Sequence, residues 1–511
     1  MNHVLLAVPV VAPLAGAGLL VLVGGRRRAA APALVRAVGW GTSGLVLCAA
    51  VVLLLAAVAG EIPTLRIGGW PPGIAITLVA DAFGALLLTV TAALVLAGLV
   101  YAAATGEDDG RFVSLALVLS TGVYGALLTA DLFNLFVFIE LMLVPSYVLL
   151  VSAGGSGRMA AGRRYLAVNL LASTLFLGGV GLLYGAAGTV NLGVLAGAAA
   201  EPPVAVAAAV VLVALAVKAA VVPLHSWLPS SYAVAGPAVV VIFSGLLTKV
   251  GVYALFRVYA VLFDGDRRWL WVIMAAGVLT MLVGVLGAVG ERSMRWVLTF
   301  HMVSQIGYML VGLALFTTAG LAAAVFFLVQ YVLVKAALLM CSGAVEVTYG
   351  TGELSRLGGL AGREPALAVA FGVSALALVG VPPLSGFVGK LLLVDAALTA
   401  AQYAAAAAVV VVSLLTLTSM LKVWNAVFTD PAAEPMRSPG AGAPARAGGG
   451  GGAVAAPAAS RVRLALVLPA LVTGGLAIVL GIWAEPLLAA AEAAARGLVD
   501  TSAYVTAVSR P

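Results

Sequence analysis

Cysteine, histidine and lysine are the residues this chain nearly does without. Its two cysteines, Cys48 and Cys341, each stand inside an apolar run, which excludes a disulfide framework. The three histidines and two cysteines fall at no metal-ligand spacing, and there is no CxxC, flavin or nucleotide signature. No metal and no cofactor is expected. Charge of either sign is also scarce, at 9% of 511 residues, while 63% are hydrophobic. Soluble domains carry about 25% charged residues, so composition excludes a soluble protein and implies a polytopic membrane one. The net charge of +7 is too small and too scattered to bind nucleic acid, and bias among the cytoplasmic loops accounts for it better.

What is there is a succession of apolar runs. They read as an all-α membrane protein of about fourteen spans. The first, residues 4–23, has no basic region before it and is expected to be a retained span rather than a signal peptide. Two runs are interrupted. The seventh is broken at Pro223, ahead of His225-Ser226-Trp227-Leu228-Pro229, and the twelfth at Gly380-Val381-Pro382-Pro383. A proline inside a helix removes a hydrogen bond and frees a carbonyl. Membrane helices tolerate this where the loosened backbone lines a polar cavity or packs against protein. The breaks lie five spans apart, so spans 4–8 and 9–13 read as two five-helix units, inverted because each holds an odd number of spans. The expected division is residues 1–111, three N-terminal helices; 112–261 and 269–428, the two units; 429–462, a flexible cytoplasmic linker; and 463–511, the last helix and a tail. The tail opens with an Ala-rich helix expected to pack on a neighbour or on the membrane surface.

Arginine sets the orientation. With the N-terminus outside, sixteen loop arginines face the cytoplasm and five face out, which places both termini outside. Twenty-two arginines stand against five lysines, and every positive charge in a predicted loop is arginine. The lysines that remain are Lys218, Lys249, Lys335, Lys390 and Lys422, the first four inside predicted spans. A lysine near the bilayer centre costs at least ~2.5–3.5 kcal/mol. Unlike arginine it can release its proton when buried. Chance survival with snorkelling is the bland explanation, and it suits Lys422, near the cytoplasmic end of its span, best.

Glu140 is the only acid near the middle of a predicted span. It is either a structural counter-ion or a transport group, and Lys218 is its natural partner. His225 follows the first break and His301 opens HMVSQIGYML; each is either a satisfied structural histidine or a proton relay. Ser244, Thr248, Ser304, Gln305 and Ser385 read as interhelical hydrogen-bonding groups or as supports for water.

The segments DLFNLFVFIELMLVPSYVLL, KAAVVPLHSWLPSSYAVAGPAVVVIFSGLLTKVGVYALFR, HMVSQIGYML and GVPPLSGFVGK together resemble the antiporter-like membrane subunits. That family includes three proton-pumping subunits of respiratory complex I and the large subunits of Mrp-type (Mnh) Na+/H+ antiporters, and the likeness is greatest to the D-type branch of the latter. The resemblance implies fourteen helices with inverted repeats. It also implies roles for Glu140 as the fifth-helix acid, Lys218 and Lys249 as the seventh- and eighth-helix lysines, and Lys390 as the twelfth-helix terminal lysine. One complex I branch has glutamate at that last position, which Lys390 disfavours.

The expected function is proton movement along Glu140, Lys218, Lys249, Lys335, Lys390, His225 and His301 in exchange for cytoplasmic Na+. The setting would be a hetero-oligomeric complex in a bacterial plasma membrane. The alternative is a proton-pumping subunit of complex I or a related membrane hydrogenase, with redox chemistry in its partners. A non-transporting scaffold would have no need of titratable charge in lipid.

Overall fold

Prolines and glycines mark many of the points where the helices start and stop. The computed structural model describes residues 2–24, 31–71, 74–152, 154–431 and 461–509. Proline occupies the first turn of four long helices, at Pro32, Pro202, Pro237 and Pro365, where its missing N–H would have no partner in any case. Left-handed glycines end others, at Gly106, Gly188 and Gly350. Several acids at span ends are helix caps. Asp81, Asp109 and Asp131 accept from Gly84 N, Phe112 N and Asn134 N at 3.0, 2.7 and 2.7 Å.

The chain opens with α1 (Val8–Val23) and α2 (Pro32–Val58), then a two-stranded hairpin, β1 (Thr64–Arg66) antiparallel to β2 (Thr77–Val79) with Thr64 opposite Val79. The body follows: α3 (Ala82–Thr105), α4 (Gly110–Leu128), α5 (Leu132–Val151), α6 (Ser156–Ala187), α7 (Pro202–Lys218), the short α8 (Trp227–Tyr232) and α9 (Pro237–Phe263). Next are α10 (Leu270–Gly290), α11 (Met294–Leu315), α12 (Thr318–Tyr349), α13 (Pro365–Val379), α14 (Ser385–Thr399) and α15 (Tyr403–Trp424). The chain closes with α16 (Leu464–Ile482), α17 (Glu485–Val499) and α18 (Ser502–Ser509).

Eleven of the described helices are long and apolar enough to cross a bilayer, against the fourteen spans expected. The shorter apolar helices α1, α7 and α13 have 16, 17 and 15 residues, short of the roughly 20 that a straight crossing takes. For α7 and α13 the cause is the break, which stops each helix partway. The protein is thus a multi-pass membrane protein, helical apart from one short hairpin, with two discontinuous helices. The expected linker falls almost wholly outside the described residues, at 432–460.

Burial orders the helices. The apolar stretches of α9 and α12 are enclosed on all sides and pack on each other, whereas α2, α10 and α16 present most of their surface outward. Lys249 and Lys335 sit on those two central helices. The Ala-rich α17 packs on the bundle itself, against α12 and α3. Its stripe of Leu487, Ala490, Ala491, Ala494, Ala495 and Leu498 is buried, the spacing of one helical face.

Candidate functional site

The first break begins earlier than its proline. Lys218 is the last residue of α7, Ala220 takes a left-handed φ of 58°, and the Val222–Pro223 bond is cis. The backbone groups loosened here are satisfied by side chains. Trp227 Nε1 donates to Val217 O at 2.9 Å, and Val222 N donates to Thr280 Oγ1 at 3.1 Å. Gly251 of α9 lets the break approach. A Cβ there would lie 2.7 Å from Ala219 N, closer than atoms pack.

Lys218 is buried, and its ammonium donates to Asn169 O at 3.0 Å and to Ser173 Oγ at 2.8 Å. Ser173 Oγ in turn donates to Glu140 Oε1, which lies 4.0 Å from Lys218 Nζ. Lysine, serine and glutamate form a continuous hydrogen-bonded line from α7 through α6 to α5. The expected pairing of Lys218 with Glu140 is present, but Ser173 mediates it. Glu140 differs from expectation in being only partly buried, its side chain 27% exposed. It stands at the edge of the bundle, so one end of this line opens on the outer surface of the protein.

Lys249 lies deeper. Its ammonium donates to Ser244 O at 2.7 Å and Thr248 Oγ1 at 3.2 Å and lies 4.6 Å from the centre of the Tyr331 ring, within cation–π range. Lys335, one turn along α12 from Tyr331, is fully buried, and its Nζ has no hydrogen-bond partner among the described residues. His301 Nε2 pairs with Ser419 Oγ at 2.6 Å, while its Nδ1, both polar atoms of Gln305 and Tyr331 OH are buried without a partner among the described residues. Buried polar atoms nearly always find partners, water included. This group has the polar lining that a hydrated path needs.

At the second break, Lys390 of α14 reaches back over Gly380-Val381-Pro382-Pro383 and donates to Leu378 O and Val379 O at 3.0 and 2.8 Å. The lysine thus holds the carbonyls that α13 loses at its end, and it lies 4.9 Å from the Tyr308 ring centre. Pro382–Pro383 is the second cis bond. Ser385 Oγ donates to Gln330 Oε1 at 3.5 Å, and Ser304 Oγ donates to Met281 O at 3.0 Å, an ordinary interhelical bond. His225 lies in the first break turn, half-buried, its Nδ1 without a partner among the described residues. Burial is therefore partial for two groups of the expected path, Glu140 and His225.

Lys422 stands in the last turn of α15, part-buried. Its ammonium donates to Val289 O and Glu291 O, each at 2.6 Å, and so caps the end of α10 from α15.

Sequence reasoning missed Ser173, Asn169, Tyr331 and Tyr308. Serines, asparagines and tyrosines are common in membrane helices, and nothing local marks these four. It also missed two ion pairs. Arg257 Nη2 donates to Asp81 Oδ1 at 2.6 Å, both groups buried, and Arg295 forks onto both carboxylate oxygens of Glu346. Each joins one end of a central helix to a neighbour.

Comparison with known proteins agrees with this geometry. The family model described as "NADH:quinone oxidoreductase/Mrp antiporter, TM" matches residues 129–416, which contain both breaks, Glu140, His225, His301 and the lysines Lys218, Lys249, Lys335 and Lys390. The chain is 38% identical to the D subunit of the Na(+)/H(+) antiporter of Alkalihalophilus pseudofirmus over 376 residues, 72% of this chain and 76% of that protein. It superposes on a chain of the Mrp complex from Dietzia sp. DQ12-45-1b with a TM-score of 0.92 at 45% identity, covering 99% of each. A chain of respiratory complex I from Thermus thermophilus shares the fold, with a TM-score of 0.76 at 22% identity over 98% of this chain and 100% of that one. The chain therefore belongs to the NADH:quinone oxidoreductase/Mrp antiporter family of membrane proteins, among the homologues of the D subunit of Na+/H+ antiporters.

Proposed function

We propose that this chain is the proton-translocating D subunit of a multi-subunit Na+/H+ antiporter, moving H+ through its helix breaks in exchange for cytoplasmic Na+. One observation carries the reading: Lys218 terminates a broken helix, and Ser173 links it to Glu140. The energies are of matching size. A carboxylate about 4 Å from an ammonium attracts it by roughly 4 kcal/mol at an effective dielectric near 20. The partial exposure of Glu140 lowers that figure. The membrane potential supplies ~2.3 kcal/mol per charge per 100 mV. Breaking and remaking the Glu140–Lys218 pair is then within reach of each turnover. Formation holds the proton on Lys218; opening releases it towards Lys249, and from there Lys335, His301 and Lys390 continue the route across α12.

In this reading the protein works as a secondary transporter inside a hetero-oligomer in a bacterial plasma membrane, with both termini outside and residues 112–261 and 269–428 as inverted five-helix units. The names of the relatives support antiport over a redox-driven pump, and the lysine after the second break agrees.

The test is Na+-driven proton exchange in vesicles holding the whole complex. Glu140→Ala is expected to assemble and to stop exchange, and Glu140→Asp to keep part of it. Wild-type exchange by an assembled Glu140→Ala complex would leave Glu140 a structural counter-ion.

A further inference from the structure

One cavity lies beside the proposed path rather than on it, against the segment that ends in Lys218. It is a groove of about 390 Å³ between α7 and α10, floored by α9 and α11. Small side chains of α7 carve it, Ala205, Ala209 and Ala216 among them, and Ile273 and Ala276 face them from α10. Its one hydroxyl, on Tyr259, is turned away and donates to Asp266 O at 2.7 Å. The lining it offers an occupant is almost wholly apolar.

Two features identify what fits. The first is depth. The groove runs from Trp269, at the start of α10, to Val221 in the first break. Along α7 it extends from Ala205 to Ala216, about 16 Å at 1.5 Å per residue, roughly half of a ~30 Å hydrocarbon core. That is the reach of one leaflet. The second is the rim. Residues 267–271 read Arg-Arg-Trp-Leu-Trp. Both arginines are exposed, Arg268 is held towards Asp266 at 2.7 Å, and Trp269 and Trp271 are 49% and 68% exposed. Exposed tryptophan with arginine is the composition of the headgroup level, where cations meet anionic phosphate.

We propose that this groove is a binding site for one acyl chain of an anionic phospholipid, its headgroup at Arg267 and Arg268 and its chain end against Val221. The position matters because the groove follows the seam between the two proposed five-helix units, α7 and α9 on one side, α10 and α11 on the other. The Val222–Thr280 hydrogen bond crosses that seam beside Val221. A chain lying there packs directly on the segment that ends in Lys218.

The assembled complex, in nanodiscs containing a phosphatidylglycerol with a diazirine near the middle of one acyl chain, tests this on irradiation. Label is expected on peptides 203–217 and 269–277. Ala209→Phe should remove most of it while leaving label elsewhere on the complex unchanged, and Arg267→Gln with Arg268→Gln should lower it for phosphatidylglycerol but not for phosphatidylcholine. Should Ala209→Phe fail to assemble, Val213→Trp fills the groove from its exposed mouth. Absence of label on these peptides while others are labelled would overturn the proposal. So would label indifferent to the filling variants, or a Val213→Cys variant that cross-links to a neighbouring protein of the complex, which would make the groove a protein interface.

Discussion

Lys218 Nζ and Glu140 Oε1 stand 4.0 Å apart, with the hydroxyl of Ser173 spanning the gap between them. A direct ion pair is tight and slow to open. A pair joined by a hydroxyl has a part that can rotate, and a hydroxyl both gives and takes a proton. The arrangement therefore makes Ser173 the adjustable element of the line.

Ser173→Ala is expected to lower exchange by the worth of hydrogen bonds to charged groups, ~1.5–3 kcal/mol, or about tenfold or more in rate. Ser173→Thr, which keeps the hydroxyl, should retain most activity. Exchange measured in vesicles with the assembled complex decides it, and full activity in Ser173→Ala would remove the hydroxyl from the route.

Lys218, Lys249 and Lys390 changed to Arg are each expected to impair exchange although the charge is kept. Guanidinium does not release its proton at these pH values, and each ammonium is seated among acceptors spaced for a compact head. Changing each to Ala should abolish exchange. Full rates in all three arginine variants would show that these lysines do not carry protons.

Gly386→Ala is expected to prevent assembly or lower its thermal midpoint. A Cβ there would fall 1.7 Å from Ala377 O, so α13 and α14 would have to part at the second break, at a cost of the order of 1–3 kcal/mol or more. Detergent-solubilised complex followed by size-exclusion and thermal unfolding reads this directly. A variant as stable as wild type would show that the break has room to spare.

Reporter fusions test the orientation. Fusions after Gly155 and after Gly350 should read cytoplasmic, and one after Gly265 external, because the arginines cluster on that pattern. An external signal at Gly350 would overturn it.

Composition and the placing of proline and glycine determined much of this protein. Scarce charge and long apolar runs made it a membrane protein. Pro223 and Pro382-Pro383 located the two discontinuous helices. The loss of lysine everywhere but inside the spans picked out four candidates that the structure sets on or beside the central helices α9 and α12, and Glu140 was marked as the one acid of a mid-span position. These features are legible because charge in lipid and proline in a helix carry their cost locally, whatever the partner.

Tertiary structure alone decided which groups meet. Ser173 is 45 residues from Lys218 and 33 from Glu140, and a serine in a membrane helix most often bonds its own backbone. Nothing in its neighbourhood in sequence distinguishes it from Thr174, which does so. Likewise Lys422 reads as an anchor because it stands near a span end, and that it caps α10 follows from how α15 packs there. Glu140 looked buried because its run is apolar, yet its helix lies at the edge of the bundle with one side open. Hydropathy reports that a residue is in the bilayer. Whether it faces protein or the outside, and which acceptor lies within 3 Å, depends on how helices distant in sequence pack.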